Sequence, residues 1–207
     1  FPSNTSNLAY MARREIASEG KRLIAQEAAK LIPNNASLFI NIGTTTEQVA
    51  HALRGHQDLI VVTNNLNVAV ILSNAPKIEL VIAGGTVRKS DGGIVGAATI
   101  DLIRQFKVDF AIIGASAIDE DGALLDFDYG EVRVAQAIMA QARRKILVAD
   151  STKFERRAPV HIGRLADINV LITDTTPPKE VSDLIDAVGT ELIIASANVA
   201  NAQSVDR

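Results

Sequence analysis

Short apolar runs alternate with amphipathic stretches along most of the chain. The runs are nearly continuous and rich in Val, Ile and Leu, which is typical of strands buried on both faces. They lie at 37–42, 59–63, 78–83, 109–115, 145–150, 169–174 and 191–196. Helical patterns begin near Thr44, Asn65, Ala97, Asp128 and Pro178. The alternation predicts a layered α/β fold with a mostly parallel sheet and helices on both faces.

Three regions depart from this alternation. Residues 1–8 (FPSNTSNL) have the composition of a linker, and a helical pattern follows from Ala9 to Leu31, with an interruption expected near Gly20. Residues 84–96 contain five glycines and no helical face, so we expect loops with short strands there. The small, polar tail after Ala195 is expected to be frayed. We therefore divide the chain into a linker and helix start (1–14) and one domain (15–207).

Composition excludes several classes of protein. The net charge of −3 and the pI near 5.6 argue against a free-standing nucleic-acid binder. The chain has no cysteine, which excludes disulfides and thiolate chemistry and fits a reducing compartment, so we expect a cytoplasmic protein. No apolar run reaches the ~20 residues of a membrane span, and no membrane partner is expected. The chain begins with Phe1, so we expect further sequence upstream.

The segment that follows the first predicted strand has the composition of an anion site. Gly43 permits a close backbone approach, and Thr44, Thr45 and Thr46 add hydroxyls at the start of a helix. The first backbone N–H groups of a helix are unpaired and lie at its positive end, which suits a phosphate. The simpler alternative is that Thr44 only caps the helix.

Polar or small residues follow the other predicted strands as well, and this favours a phosphate-containing ligand over capping. Because the carboxyl ends of parallel strands meet at one edge, we expect these residues to converge there. They are Thr63, Asn64 and Asn65; Gly84, Gly85 and Arg88; Gly114; and Asp150 and Lys153. The glycine patterns of dinucleotide-binding and P-loop proteins do not occur. The three histidines have no metal-ligand spacing, so neither a metal nor a cofactor is expected.

The motifs NIGTTTEQVA, VVTNN, IAGGTVR, GGIVG, DFAIIGASAID, EVRVAQAIM and VADSTKF occur in the order found in one known family. From about Glu15 to Asp174 the chain resembles the effector-binding domain of the DeoR-type bacterial transcriptional repressors. The stretch GALLDFDYGEVR (122–133) resembles the members that respond to glycerol 3-phosphate.

The resemblance implies a fold of the phosphosugar isomerase and CoA-transferase superfamily and a phosphorylated effector, glycerol 3-phosphate, that relieves repression. It also implies an upstream winged helix-turn-helix, through which alone DNA would be contacted, and we expect a homo-oligomer, a dimer or a tetramer. The implied ligand-binding residues are Gly43, Thr44, Thr45, Thr46, Thr63, Asn64, Asn65, Gly84, Gly85, Arg88, Asp150 and Lys153. Asp126, Asp128, Tyr129 and Glu131 would recognise the hydroxyl groups of the effector.

Two other functions remain open. Related ribose-5-phosphate isomerases carry an acidic motif where this chain has GASAI (114–118), so Glu131 would have lost its acidic neighbours. That favours a sensor without catalytic residues over an isomerase that uses Glu131 as its base. A scaffold that oligomerises without binding a metabolite is the third alternative. The basic run Arg143–Lys145 is expected to end a helix and to be structural.

Overall fold

The computed structural model describes residues 9–197. The predicted features of residues 1–8 and of the tail from 198 onward lie outside that range. The helices are α1 (Tyr10–Glu15), α2 (Ser18–Leu31), α3 (Thr44–Leu53), α4 (Leu66–Leu72), α5 (Ala97–Ile103), α6 (Tyr129–Ala140) and α7 (Lys179–Val188). The strands are β1 (Ser37–Ile40), β2 (Leu59–Thr63), β3 (Ile78–Ile82), β4 (Thr86–Val87), β5 (Ile94–Val95), β6 (Val108–Ile113), β7 (Ala117–Ile118), β8 (Ala123–Asp126), β9 (Ala142–Val148), β10 (Val160–Arg164), β11 (Val170–Thr173) and β12 (Glu191–Ile194).

Seven strands form one parallel sheet in the order β12-β11-β9-β6-β1-β2-β3. The first strand of the chain lies inside the sheet, with β2 on one side and β6 on the other. The order along the chain therefore reverses between β1 and β6. A crevice opens beyond the carboxyl ends of the strands at such a switch point, and ligands of open α/β sheets bind there.

Helices cover both faces of this sheet, as the alternation of the sequence predicts. Leu38 and Ile40 of β1 pack with α2, α3 and α4 in one buried cluster. The residue between them, Phe39, faces the opposite way and packs with α5, α6 and α7 in a second cluster. Each strand of the sheet centre is thus buried on both sides, which accounts for the continuous apolar runs.

The N-terminal helix is interrupted at a different residue from the one predicted. The break lies at Ala17, whose φ of 52° is left-handed, whereas Gly20 is inside α2. Gly20 is needed there for space, because a Cβ at this position would collide with the carboxylate of Asp174. Gly20 therefore allows α2 to pack closely against Asp174 and does not mark a helix end.

Three short strands and one basic run were not predicted correctly. β7, β8 and β10 form a separate antiparallel sheet, in segments where the sequence analysis predicted no strand. Residues 143–145 lie in β9 and not at the end of a helix, since α6 already stops at Ala140. Arg144 pairs there with Glu191 of β12, at 2.9 Å. The expected loops with short strands in 84–96 are confirmed as the hairpin of β4 and β5.

Candidate functional site

A cavity with an open volume of about 420 Å³ lies at the switch point between β1 and β6. The segments after these two strands, 42–46 and 114–116, form its floor. Lys153 reaches it from the 3-10 turn Ser151–Glu155 that follows β9, and Arg13 reaches it from α1. Asp126 and Glu131 line the opposite side. Cations and backbone donors thus meet a pair of carboxylates in one small space.

The loop Gly43–Thr46 has the geometry of an anion site. Gly43 has a φ of 149°, which favours glycine, and α3 starts at the next residue, with no side chain capping its first amides. Thr46 is fully buried, and its Oγ1 donates to the carbonyls of Asn41 (2.7 Å) and Gly43 (2.8 Å). Within residues 9–197 the hydroxyls of Thr44 and Thr45 have no such partner. Thr46 therefore fixes the loop, whereas Thr44 and Thr45 offer donors to the cavity.

Lys153 and Arg13 supply positive charge beside this loop. Burial lowers the pKa of Lys153 to about 8, because Asp150 offsets only part of the cost and Arg156, Lys21 and Arg13 add repulsion. The Nε of Arg13 is buried and has no hydrogen-bond partner within residues 9–197. A buried cation with spare donors is stabilised by an anionic ligand, since the anion offsets the cost of leaving water.

The acidic side of the cavity is a coupled pair of carboxylates. Burial raises the pKa of Asp126, although the N–H of Phe127 (2.7 Å) and the hydroxyl of Ser116 (3.0 Å) both donate to its Oδ1. Burial and the nearby Asp126 also raise the pKa of Glu131, and the Arg88 guanidinium offsets part of that rise. The expectation that Glu131 has lost its acidic neighbours was therefore wrong: Asp126 arrives from β8, a strand that sequence reasoning did not find.

Seven of the predicted ligand-binding residues come together in this cavity. They are Gly43, Thr44, Thr45, Thr46, Asp126, Glu131 and Lys153. The remaining predicted residues lie outside this cavity and contact the surrounding structure, and their role in ligand binding stays a prediction.

The residues after β2 face the protein interior and not the cavity. Thr63, Asn64 and Asn65 are each at most 1% exposed. The Oγ1 of Thr63 donates to the carbonyl of Ile40 at 2.6 Å, and the amide of Asn64 donates to the carbonyl of Ile94 at 3.1 Å. The Oδ1 of Asn65 caps α4 by accepting from two backbone N–H groups. These hydrogen bonds join elements of the fold, although the Oδ1 of Asn64 is buried without a partner in residues 9–197.

The other predicted residues have structural partners too. Thr99 donates to the carbonyl of Gly84 at 2.7 Å, while Gly85 is exposed and has a φ of 152°. The Arg88 guanidinium pairs with Asp91, Asp128 and Glu131, so it has three carboxylate partners already.

Asp128 and Asp150 are caps, and Tyr129 lies on the surface. The Oδ1 of Asp128 accepts from the N–H of Glu131 at 2.7 Å at the start of α6. The Oδ1 of Asp150 accepts from the N–H of Thr152 at 3.1 Å and from its hydroxyl. The side chain of Tyr129 is 66% exposed and contacts Arg133, whose guanidinium lies 6.0 Å from the ring centre.

Sequence reasoning missed Arg13 and did not assign Ser116 to the site. Arg13 lies in α1, far along the chain from any strand end, so no local pattern marks it. Ser116 does have a signal, because it follows β6 as the threonines follow β1. Among the described residues no group of three or more acidic or histidine side chains is arranged to hold a metal ion. No helix in the same range is both long and apolar enough to cross a membrane.

Fold and cavity together define an α/β domain with cations and unpaired threonine hydroxyls lining a cavity at the switch point, and its fold is similar to that of ribose 5-phosphate isomerase. Ribose 5-phosphate isomerase A from Methanocaldococcus jannaschii superposes with a TM-score of 0.50 at 16% identity, over 67% of this chain and 55% of that one. eIF2B beta from Chaetomium thermophilum gives 0.54 at 18% identity, over 74% and 48%. The chain thus spans about half the length of these structures, and the likeness concerns the fold alone.

Residues 16–175 match the family described as the DeoR C terminal sensor domain, and the chain belongs to that family. A glycerol-3-phosphate regulon repressor of Haemophilus influenzae is 50% identical, over 96% of this chain and 77% of its own length. The repressor of the same name from Escherichia coli K12 is 46% identical over 89% and 73%. The transcriptional repressor CsqR of Escherichia coli K12 is 38% identical over 93% and 74%. The relatives are thus transcriptional repressors.

Proposed function

We propose that this domain senses a small phosphorylated metabolite, glycerol 3-phosphate, and that binding relieves repression by an upstream DNA-binding module. The observation that carries the proposal is the convergence of the α3 N-terminus, the free hydroxyls of Thr44 and Thr45, and the half-buried cation Lys153 in one cavity. The names of the relatives from Haemophilus influenzae and Escherichia coli support glycerol 3-phosphate as the effector.

The proposed pose follows from the charges in the cavity. The dianionic phosphate lies on the first amides of α3 and is contacted by Lys153 and Arg13, since helix N-termini and cations both favour negative charge. The glycerol hydroxyls extend toward Asp126 and Glu131, whose carboxyl oxygens can accept hydrogen bonds. A molecule without the phosphate would leave the positive charge of Lys153 without a ligand anion, and a molecule without hydroxyls would leave the remaining acceptor positions of Asp126 and Glu131 unused.

The role of the upstream module and of oligomerisation belongs to the same proposal. For the effector to relieve DNA binding, it must bind two conformations of the repressor with different affinity. A dimer or tetramer would place two such modules on a two-fold symmetric operator. The chain itself then contributes the metabolite site.

A phosphosugar isomerase is the second candidate, because Glu131 is a buried carboxylate with a raised pKa inside the same cavity. A sensor is favoured for one geometric reason. The Nη2 of Arg88 lies 2.8 Å from the Oε2 of Glu131, so the carboxylate is engaged in an ion pair and is not a free base.

Thermal unfolding in the presence of four ligands tests the proposal. Glycerol 3-phosphate, glycerol, ribose 5-phosphate and inorganic phosphate are added in turn, and each is titrated to saturation. A ligand at a hundred times its dissociation constant adds about 2.7 kcal/mol to stability. We expect glycerol 3-phosphate to raise Tm well above phosphate or glycerol alone.

Matched variants and a turnover assay separate the alternatives. Lys153→Met should reduce the shift, whereas Lys107→Met should not, because Lys107 is exposed and lies at the other end of β6. A larger shift with ribose 5-phosphate, together with its turnover, would establish the isomerase. If none of the four ligands raised Tm, the sensor proposal would be wrong, and the threonine loop would be only a helix start.

A further inference from the structure

A second cavity adjoins the first and shares Arg13 and Lys153 with it. It has an open volume of about 640 Å³ and lies between α1, the first turns of α2 and the 3-10 turn Ser151–Glu155. Two further cations line it, Lys21 and Arg156. The proposed effector pose uses neither of them.

Lys21 and Arg156 are buried to an unusual degree for cations. The residues are only 2% and 8% exposed. The Nζ of Lys21 donates to the carbonyl of Arg13 and lies 4.0 Å from the Oδ2 of Asp150. The Nη2 of Arg156 is buried and has no hydrogen-bond partner anywhere in residues 9–197. Arginine almost never lies so deep unless its donors are satisfied, so the unused Nη2 indicates a missing acceptor.

The charge balance around the second cavity gives the same indication. Four cations line it, whereas Glu155, the one acidic lining residue among residues 9–197, is exposed. Asp150 is fully buried nearby, but its Oδ1 is occupied by Thr152, and its Oδ2 forms no hydrogen bond within the described range. Asp150 attracts Lys21, Lys153 and Arg156 together, and it is helped only by Glu47 at Lys21 and by Asp126 at Arg156.

The titration behaviour of the cations agrees with this excess. Burial lowers the pKa of Lys21 and of Arg156, and Arg13 lowers both further by repulsion. Positive groups that repel one another in a low-dielectric space are stabilised by a compact anion, which supplies both charge and hydrogen-bond acceptors.

We propose that the second cavity is an additional oxyanion site, in which Lys21 and Arg156 bind a phosphate-like or carboxylate group beside the effector site. The unpaired Nη2 of Arg156 donates to the bound oxyanion, and Lys21 compensates its charge. Arg13 and Lys153 lie between the two sites and contact both occupants. Lys21 and Arg156 are not used by the effector pose, so binding at the second site can be tested without glycerol 3-phosphate.

Counting bound phosphate tests this proposal. Equilibrium dialysis with labelled inorganic phosphate is carried out on the unsubstituted chain, on Arg156→Gln and on Arg157→Gln. Arg157→Gln is the control, because Arg157 is exposed and lies outside the cavity. We expect Arg156→Gln to bind one phosphate fewer than the chain, or that site to weaken by roughly tenfold or more. Arg157→Gln should match the chain. Equal stoichiometry and affinity in all three proteins would overturn the proposal.

The proposal and the effector assignment fail in different ways. If the chain binds two phosphates and Arg156→Gln binds one, both sites exist. If the chain binds one and Arg156→Gln none, the second cavity is the oxyanion site and the effector site is not. Should Arg156→Gln unfold, Arg156→Lys and Lys21→Met replace it, and a lost phosphate in either folded variant supports the site.

Two sources of the oxyanion are distinguished by ligands that differ in one group. In 3-phosphoglycerate a carboxylate replaces the terminal CH₂OH of glycerol 3-phosphate. If the second site takes an acidic group of the effector, 3-phosphoglycerate turns its carboxylate away from Asp126 and Glu131 and toward Arg156. It should then bind roughly tenfold more tightly than glycerol 3-phosphate, and Arg156→Gln should abolish that difference. If it takes a free ion, saturating glycerol 3-phosphate should leave one phosphate bound to the chain and none to Arg156→Gln.

Discussion

The Nη2 of Arg88 lies 2.8 Å from the Oε2 of Glu131, so the cation expected to contact a ligand instead holds a carboxylate of the cavity. A second carboxylate, Asp128, lies 3.4 Å from its Nη1, and Asp91 completes the cluster. Arg88 is thereby neutralised before any ligand arrives. In the part of the chain that the structure describes, Lys153 forms no ion pair as close as these, so it is the cation that we expect to contact a phosphate.

Arg88→Met should lower stability and leave affinity for phosphate nearly unchanged. Removing the guanidinium leaves Glu131 buried without its ion-pair partner, at a cost of about 1–3 kcal/mol for this partly exposed cluster. Chemical denaturation measures the loss, and calorimetry measures the affinity. Arg133 is an exposed arginine on α6, the helix that carries Glu131, and Arg133→Met should change neither stability nor affinity. An affinity loss in Arg88→Met without a stability loss would instead place Arg88 on the ligand.

Lys153→Met should weaken phosphate-ligand binding by about 1–3 kcal/mol, since a charge-assisted hydrogen bond in a partly buried site is lost. The sequence analysis also placed Arg88 on the ligand, but we expect no such loss of affinity in Arg88→Met, because Arg88 already pairs with three carboxylates. Isothermal titration with glycerol 3-phosphate measures the change. Lys107→Met serves as the exposed control. An unaltered affinity in Lys153→Met would mean that Lys153 does not contact the phosphate.

Affinity should also fall as the pH rises through about 8. Burial lowers the pKa of Lys153 to about 8 in the free protein, so the side chain is charged below that pH and neutral above it. A phosphate monoester is already a dianion there, because its second pKa is about 6. Titrations between pH 7 and 9.5 should show the decline in the chain and none in Lys153→Met. A decline of equal size in both would assign it to another group.

Thr45→Val and Thr46→Val should separate binding from stability. The Oγ1 of Thr46 is buried and donates to Asn41 and Gly43, so its removal should cost about 1–3 kcal/mol of stability. Thr45 lines the cavity with a hydroxyl that has no partner within residues 9–197, so Thr45→Val should weaken ligand binding and leave Tm unchanged. The reverse pattern would mean that Thr46 faces the ligand.

Gly85→Ala and Gly84→Ala form a matched pair at the end of β3. A Cβ on Gly85 would lie 2.7 Å from the carbonyl of Val95, and its φ of 152° disfavours any side chain, so a destabilisation of about 2 kcal/mol or more is expected. A Cβ on Gly84 would meet no atom within 4 Å. Gly84→Ala should therefore fold normally and bind the effector with unchanged affinity. Loss of effector binding in folded Gly84→Ala would mean that the loop after β3 contacts the ligand.

Local sequence was enough to predict the layered fold and half of the cavity. The continuous apolar runs predicted all seven strands of the parallel sheet, because strands buried on both faces need apolar residues at nearly every position. The loop Gly43–Thr46 and Lys153 follow strands directly, and parallel strands bring such ends to one edge whatever their order. Those residues could be found without knowing which strands are neighbours.

The position of the switch point and the partners of each charge were decided only by the tertiary structure. The pairing of β1 with β6 joins segments some seventy residues apart, and no local pattern records it. Arg13 and Asp126 reach the cavity from α1 and from a short antiparallel strand, while Arg88 turns to Glu131. A sequence shows which side chains carry charge. Only packing decides which charges are neutralised inside the protein and which remain for a ligand, because electrostatic pairing depends on distance in space and on burial, not on separation along the chain.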